Sequence, residues 1–223
     1  MICLCMITLS GQDLVRLASR SIRQYVGPCA LWERPTIDPV DANSHGRAID
    51  AWREETRGQI SHDDIVVIMD PDCAILSPRW VTVMETAILR DGIGIWGAGS
   101  AEDFGPRVHA SMLAVNGRLW NEIPAATFVP SPRLETRWRD TGGLYCRIAQ
   151  IKGWKLRPVE RGLDWNGFSA WWDGSTPLWT HLGGGTHSDP TRMTWVQRAW
   201  RWRAVQERWR FIQCVEEHLN ETR

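Results

Sequence analysis

The sequence predicts an α/β fold: a mixed, mainly parallel sheet flanked by helices, with a long helix at its C-terminal end. Three observations predict it. Residues 2–9 (ICLCMITL) and 64–69 (DIVVIM) are almost wholly apolar runs of strand length, the pattern of strands covered on both faces. Segments of helical period separate such runs, and strand, helix, strand, helix, strand is the order of a parallel sheet with right-handed crossovers. A chain of 223 residues with 43% hydrophobic and 23% charged residues can bury one sizeable core, which excludes wholesale disorder, collagen and a coiled-coil rod.

The first strand gives way to the small polar residues Ser10 and Gly11. Residues 12–25 place Leu14, Leu17, Ala18, Ile22 and Tyr25 at helical spacing, and Gly27-Pro28 stops that helix. A short second strand covers 29–32. The proline-broken stretch ERPTIDPVDANSHG leads into a helix over 47–57, and the third strand follows at 64–69. A helix over 78–90 starts at Pro78, where a missing N–H leaves no bond unmade. The strand 92–96 comes next. The glycine-rich stretch 97–107 and the breaker-containing stretch 125–139 read as loops, on either side of an alternating strand at 108–115. Residues 140–153 form a helix ending at Gly153, then a strand at 155–159, a tryptophan-dense loop to Pro177 and the motif HLGGGTH. The last helix covers 191–219. The chain thus divides into a domain over 1–189 and a Trp/Arg-rich helical extension over 190–223.

Composition narrows the function classes. Lys+Arg 26 against Asp+Glu 26 leaves no net charge, so the global balance does not point to nucleic acid or an anionic membrane, and any such patch is local. All the basic residues except Lys152 and Lys155 are arginine, and 15 tryptophans stand against 2 tyrosines. Arginine offers a planar fork for phosphate, and exposed tryptophan a face on which sugars or bases stack. Cys3, Cys5, Cys29, Cys73, Cys146 and Cys214 show no paired zinc spacing, so they read as reduced thiols and the protein as cytoplasmic. No segment offers the ~20 apolar residues of a membrane helix.

The sharpest chemical signal is Asp70-Pro71-Asp72, directly after the buried run DIVVIM. In an open α/β sheet ligands bind beyond the carboxyl ends of the strands, so both side chains arrive at the crevice by topology. Two carboxylates one residue apart can share a divalent cation that completes its shell with phosphate oxygens. The competing reading is a plain strand-ending turn, for which Asp and Pro are equally suited.

Taken with SHGRAIDAW at 44–52, PRVHASMLAV at 106–115, DTGG at 140–143 and HLGGGTH at 181–187, the aspartate motif resembles that of metal-dependent glycosyltransferases of the GT-A fold. The likeness is to the family-two-like branch with its short bacterial and phage forms, over residues 2–189. It implies a Rossmann-like GT-A sheet, Mn²⁺ or Mg²⁺ as cofactor and a nucleotide-sugar donor of UDP or GDP type. It further implies that Asp70 and Asp72 hold the metal, Asp70 also touching the donor, and that His181 completes the coordination. Gly183 and Gly184 would let backbone amides approach phosphate. Thr8, Ser10 and Glu33 would meet the nucleotide, and Ser44, His45 and Gly46 the base and diphosphate. Asp140 would be the general base of an inverting transfer, although a helix N-cap fits it equally. The proline-containing ERPTID departs from the family's small polar run and leaves the nucleobase open. Arg107 and Arg192 are further candidates for the leaving charge. A non-catalytic nucleotide, sugar or DNA binder on the same fold is the alternative, and a nucleotidyltransferase is disfavoured because residues 8–13 hold no lysine or arginine.

Each histidine also has a plain reading. His109, in the alternating strand, is expected as a buried structural side chain. Trp165, Trp171 and Trp172 read either as an acceptor-stacking surface or as a small core under their loop. In the last helix, Trp195, Ala199, Trp202, Val205, Trp209 and Ile212 share one face and are expected to dock on the domain. Trp200, Ala204 and Phe211 lie nearly opposite, edged by Arg201, Arg203, Arg208 and Arg210. That second strip fits a homodimer contact, a membrane surface or DNA. The acceptor would be a protein, a glycan or a hydroxymethylated DNA base.

Overall fold

The computed structural model describes residues 1–8, 12–35, 44–99, 108–123, 128–130, 141–182 and 195–222. Six strands form the main sheet: β1 (Ile2–Thr8), β2 (Ala30–Pro35), β3 (Ile65–Met69), β5 (Ile93–Gly99), β6 (Val108–Asn116) and β7 (Lys155–Val159). Their order is β2-β1-β3-β6-β5-β7. β1 runs parallel to β2 and β3, and β5 parallel to β7, while β6 is antiparallel to both its neighbours. A second, antiparallel sheet of β4 (Cys73–Ile75), β9 (Thr176–His181) and β8 (Ser169–Asp173) leans on it.

The unbroken apolar runs follow from two covered faces. Leu4 and Met6 of β1, with Val67 and Met69 of β3, join one core with Ala18 and Ile22 of α1 (Gln12–Tyr25) and Trp80 and Met84 of α3 (Arg79–Glu85). Cys3, Cys5 and Ile7, with Val66 and Ile68, face the other way onto Ile49 and Trp52 of α2 (Ser44–Thr56) and Tyr145 of α5 (Gly143–Ile151). Successive strand residues point to opposite sides, so each must be apolar when both sides are packed. α3 continues as a π-helical turn over Thr86–Arg90, and the short α4 (Gly117–Glu122) follows β6 at once. α4 is capped by Asn116, whose side chain accepts from Arg118 N–H at 2.9 Å.

Tryptophan serves this core more than the surface. Trp52, Trp80, Trp96, Trp120 and Trp179 are fully buried. Trp96 sits edge-on to both Trp80 and Trp179, with centroids 6.2 and 5.4 Å apart.

Two sequence expectations are corrected. The tryptophan-dense stretch to Pro177 is a β-hairpin: β8 and β9 pair around a turn at Gly174 (φ 58°), and a tight turn at Asn166-Gly167 (φ 51° and 83°) precedes them. The last helix, α6 (Trp195–Glu221), docks through Phe211, Ile212, Val215 and Leu219 onto Leu14, Leu17, Ala74 and Phe168. Val205 and Trp209, expected on the docked face, are 44% and 61% exposed, while Phe211, expected opposite, is buried. The reason lies in polar register. Arg208 meets Asp13, Gln24 donates to Leu219 O at 3.1 Å, His218 Nε2 lies 2.7 Å from Leu76 O, and Thr222 bonds Tyr25. Those contacts centre the helix on Val215, and Trp209 falls roughly 120° round from it. The side chains of residues 195–204 lie outside the described part.

Candidate active site

The site begins where β3 ends. Asp70 N–H still follows the ladder, donating to Ser111 O of β6 at 2.9 Å, and then the chain turns: Cys73 N–H donates to Asp70 O at 3.1 Å. Asp70-Pro71-Asp72 is therefore a turn and a carboxylate pair at once, the turn being what lifts both acids to the carboxyl edge. Thr8 ends β1 at that edge, opposite Pro35 of β2 and two residues past the Met6–Met69 register.

Each aspartate meets its own imidazole. His45, in the first turn of α2, brings Nε2 to 3.2 Å from Asp70 Oδ1, and His181, last residue of β9, brings Nε2 to 3.2 Å from Asp72 Oδ1. Gly46 allows the α2 end to sit there, because a Cβ on it would lie 2.6 Å from Phe128 O. His181 is fixed by strand pairing: it lies opposite Cys73, and Leu182 N–H donates to Asp72 O at 3.0 Å. Trp171 tilts against its ring at 6.3 Å and stacks on Trp179 at 5.3 Å.

Asp72 is only 2% exposed, and Asp70 Oδ1, Asp72 Oδ1 and His45 Nε2 are sealed from solvent without a well-aligned hydrogen bond. Buried carboxylates this close cannot both ionise freely. Burial, reinforced by the Asp72 charge, pushes the Asp70 carboxyl above its ordinary range against the pull of His45, His181 and His109. Burial pushes Asp72 the same way, yet the His181 imidazole 3.2 Å away holds it below that range. Burial alone would depress His181; Asp72 and Asp70 outweigh it and raise it. Unfilled carboxylate oxygens flanked by imidazole nitrogens are the donor set a divalent cation satisfies.

Other predicted residues are placed as follows. Ser44 is buried at the start of α2. Glu33 faces α1, accepting from Ser19 Oγ at 3.0 Å. Trp171 is a core residue, 6% exposed. Trp165 packs edge-on to His218 of α6 at 5.5 Å, and Trp172 Nε1 donates to Leu163 O at 2.7 Å. Trp165 and Trp172 are partly buried, so of the three tryptophans only Trp171 is a core residue. Ser10, Asp140, Gly183, Gly184, Arg107 and Arg192 lie outside the described residues. Sequence reasoning missed His109: expected as a structural core side chain, it is partly exposed, its charge reaches Asp70, and Ser111 N–H donates to its Nδ1 at 3.0 Å. That bond leaves Nε2 to carry the ring proton when His109 is neutral. Only its place two residues before Ser111, the β6 partner of Asp70, would have revealed it.

No protein-family model and no curated protein sequence matches the chain. Solved structures do. The mannosyltransferase PcManGT from Pyrobaculum calidifontis, solved with GDP-Man and Mn²⁺, aligns with a TM-score of 0.50 and 11% identity over 70% of this chain and 53% of its own. The apo-form glycosyltransferase GlyE from Streptococcus pneumoniae TIGR4 aligns with a TM-score of 0.40 and 10% identity over 70% of this chain and 45% of its own. The chain thus spans about half the length of these structures. Its mixed sheet, flanking helices and C-terminal helix constitute a GT-A-like fold. No helix among the described residues is long and apolar enough to cross a membrane.

Proposed function

We propose that this protein is a glycosyltransferase that moves a hexosyl group from a UDP- or GDP-sugar to an acceptor hydroxyl with inversion, using Mn²⁺ or Mg²⁺. One observation carries the reading: two aspartates at the carboxyl edge of a GT-A-like sheet, each beside a histidine, with sealed and unfilled oxygens. Asp72 and His181 would hold the cation, with Asp70 beside them. When bound, the ion supplies positive charge that neutralises the departing diphosphate.

The chain's own residues do the rest. The N-terminal end of α2 carries a partial positive charge and brings Ser44 and His45 to the donor side of Asp70. Thr8 lines the same edge for the nucleotide. Asp140 receives the acceptor hydroxyl proton as the new C–O bond forms and the anomeric carbon–phosphate oxygen bond breaks. Much of the acceleration comes from holding donor and acceptor in line. We assign the acceptor to a protein, a glycan or a hydroxymethylated DNA base, and the setting to the cytoplasm, which the six free cysteines favour.

The test is a panel of nucleotide sugars with Mn²⁺, read as nucleoside diphosphate release. Asp72→Ala should abolish release, and undiminished turnover in that variant would overturn the assignment.

A further inference from the structure

The cation site contains a residue that the proposed function does not use. Oxygen, sulfur and nitrogen ligand atoms of Asp72, Cys73 and His181 lie within 4.8 Å of one another, the one such group among the described residues. Cys73 and His181 are direct partners across the β4–β9 ladder, so their side chains share a face of the small sheet. Asp72 precedes the strand and turns its 2% exposed carboxylate to the same place, with Oδ1 lacking a well-aligned hydrogen bond. Bond lengths to zinc of 2.0–2.3 Å set ligand separations of roughly 3.3–3.7 Å; Asp72 Oδ1 and His181 Nε2 already lie 3.2 Å apart, and the sulfur needs to close by at most about 1.5 Å.

We infer that Cys73 is a third ligand of the cation site, which therefore takes a thiophilic divalent ion such as zinc or cobalt in preference to magnesium. The inference rests on the cation-dependent reading above. Magnesium demands oxygen, whereas a mixed N/O/S set suits zinc and cobalt. The Cys73 thiol donates to Ser111 O at 3.3 Å. On binding, that sulfur–hydrogen bond breaks, a sulfur–metal bond forms and one proton leaves to solvent. Three protein ligands leave a coordination position open, as in zinc sites that also take substrate. Asp70 and His45 stay beside the site as a separate pair.

The test is titration of the metal-free full-length protein with Co²⁺, read by absorption. A sulfur-to-cobalt charge-transfer band is expected in the wild type and in Cys5→Ser, and lost in Cys73→Ser and Cys73→Ala. Zinc affinity should fall about tenfold or more in the Cys73 variants, since even outer-shell changes cost that much. Should the Cys73 variants not fold, zinc-edge X-ray absorption of the wild type decides, a sulfur neighbour at about 2.3 Å being the expected result. Cobalt bound without the band, or zinc without a sulfur neighbour, overturns the Cys73 assignment and leaves the glycosyltransferase reading standing. Failure of every cation to bind overturns both.

Discussion

Removing the His181 imidazole is the most informative single perturbation of the metal-free protein. Asp72 is 2% exposed and its partner nitrogen is 3.2 Å away. His181→Ala would leave a carboxylate in the interior without its nearest counter-charge, and breaking a buried pair from one side costs about 3–5 kcal/mol. For a chain of this size each kcal/mol moves the midpoint by about 2–4 °C, so the expected drop is roughly 6–20 °C. Asp72→Asn alone should cost less, because it removes the charge that needs a partner, and the double variant should sit well above the sum of the two. The assay is thermal unfolding in EDTA across pH. Asp72 is held below its ordinary 3.8, so its contribution is present above that value and disappears as pH falls through the lowered one. His181 is raised above 6.5, so its contribution is complete below 6.5 and fades as pH rises through the raised value. Pair stabilisation is therefore fullest between about pH 4 and 6.5. A His181→Ala midpoint within 1 °C of wild type, or strictly additive effects, would refute the reasoning.

Further outcomes follow from the packing and the site. Mn²⁺ added at pH 8 should raise the wild-type midpoint in proportion to the logarithm of its concentration, and Asp72→Asn should erase that rise in calorimetry. Gly46→Ala would push a methyl to 2.6 Å from Phe128 O and 2.7 Å from Val129 Cα; a loss of about 1–3 kcal/mol in urea unfolding is expected. Trp179→Ala empties the space between Trp96 and Trp171 and should cost about 3–5 kcal/mol in the same assay. Leu219→Ala should speed amide exchange in the C-terminal half of α6, whereas Arg208→Ala, losing a pair whose members are 30% and 47% exposed, should change stability by under about 1 kcal/mol.

The alternation of the first three strands was readable because each strand residue packs on one of two cores, which leaves an unbroken apolar signal. Asp70 and Asp72 were readable for a topological reason, since the end of a central parallel strand is where ligands sit. Strand order was not: the antiparallel insertion of β6 between β3 and β5 depends on contacts no local pattern encodes. The β8–β9 hairpin was masked by tryptophan density, although Asn166-Gly167 and Asp173-Gly174 are turn signals that name it. The α6 face was misjudged because helical period offers two apolar stripes and does not choose between them. Its orientation is set by Asp13, Gln24 and Leu76, which lie far away in the chain. His45 was named through the resemblance alone, and His109 needed three dimensions, for nothing in its own surroundings marks it as a neighbour of Asp70.

The pairing of residue 72 with residue 181 also orders events during synthesis. A ribosome that has released everything through β7 has already displayed both acids and His45, yet β9 is still to come. Until that final ladder zips onto β4, the nascent chain lacks one jaw of the clamp. The contact between Asp72 and His181 is thus among the last in the site to form.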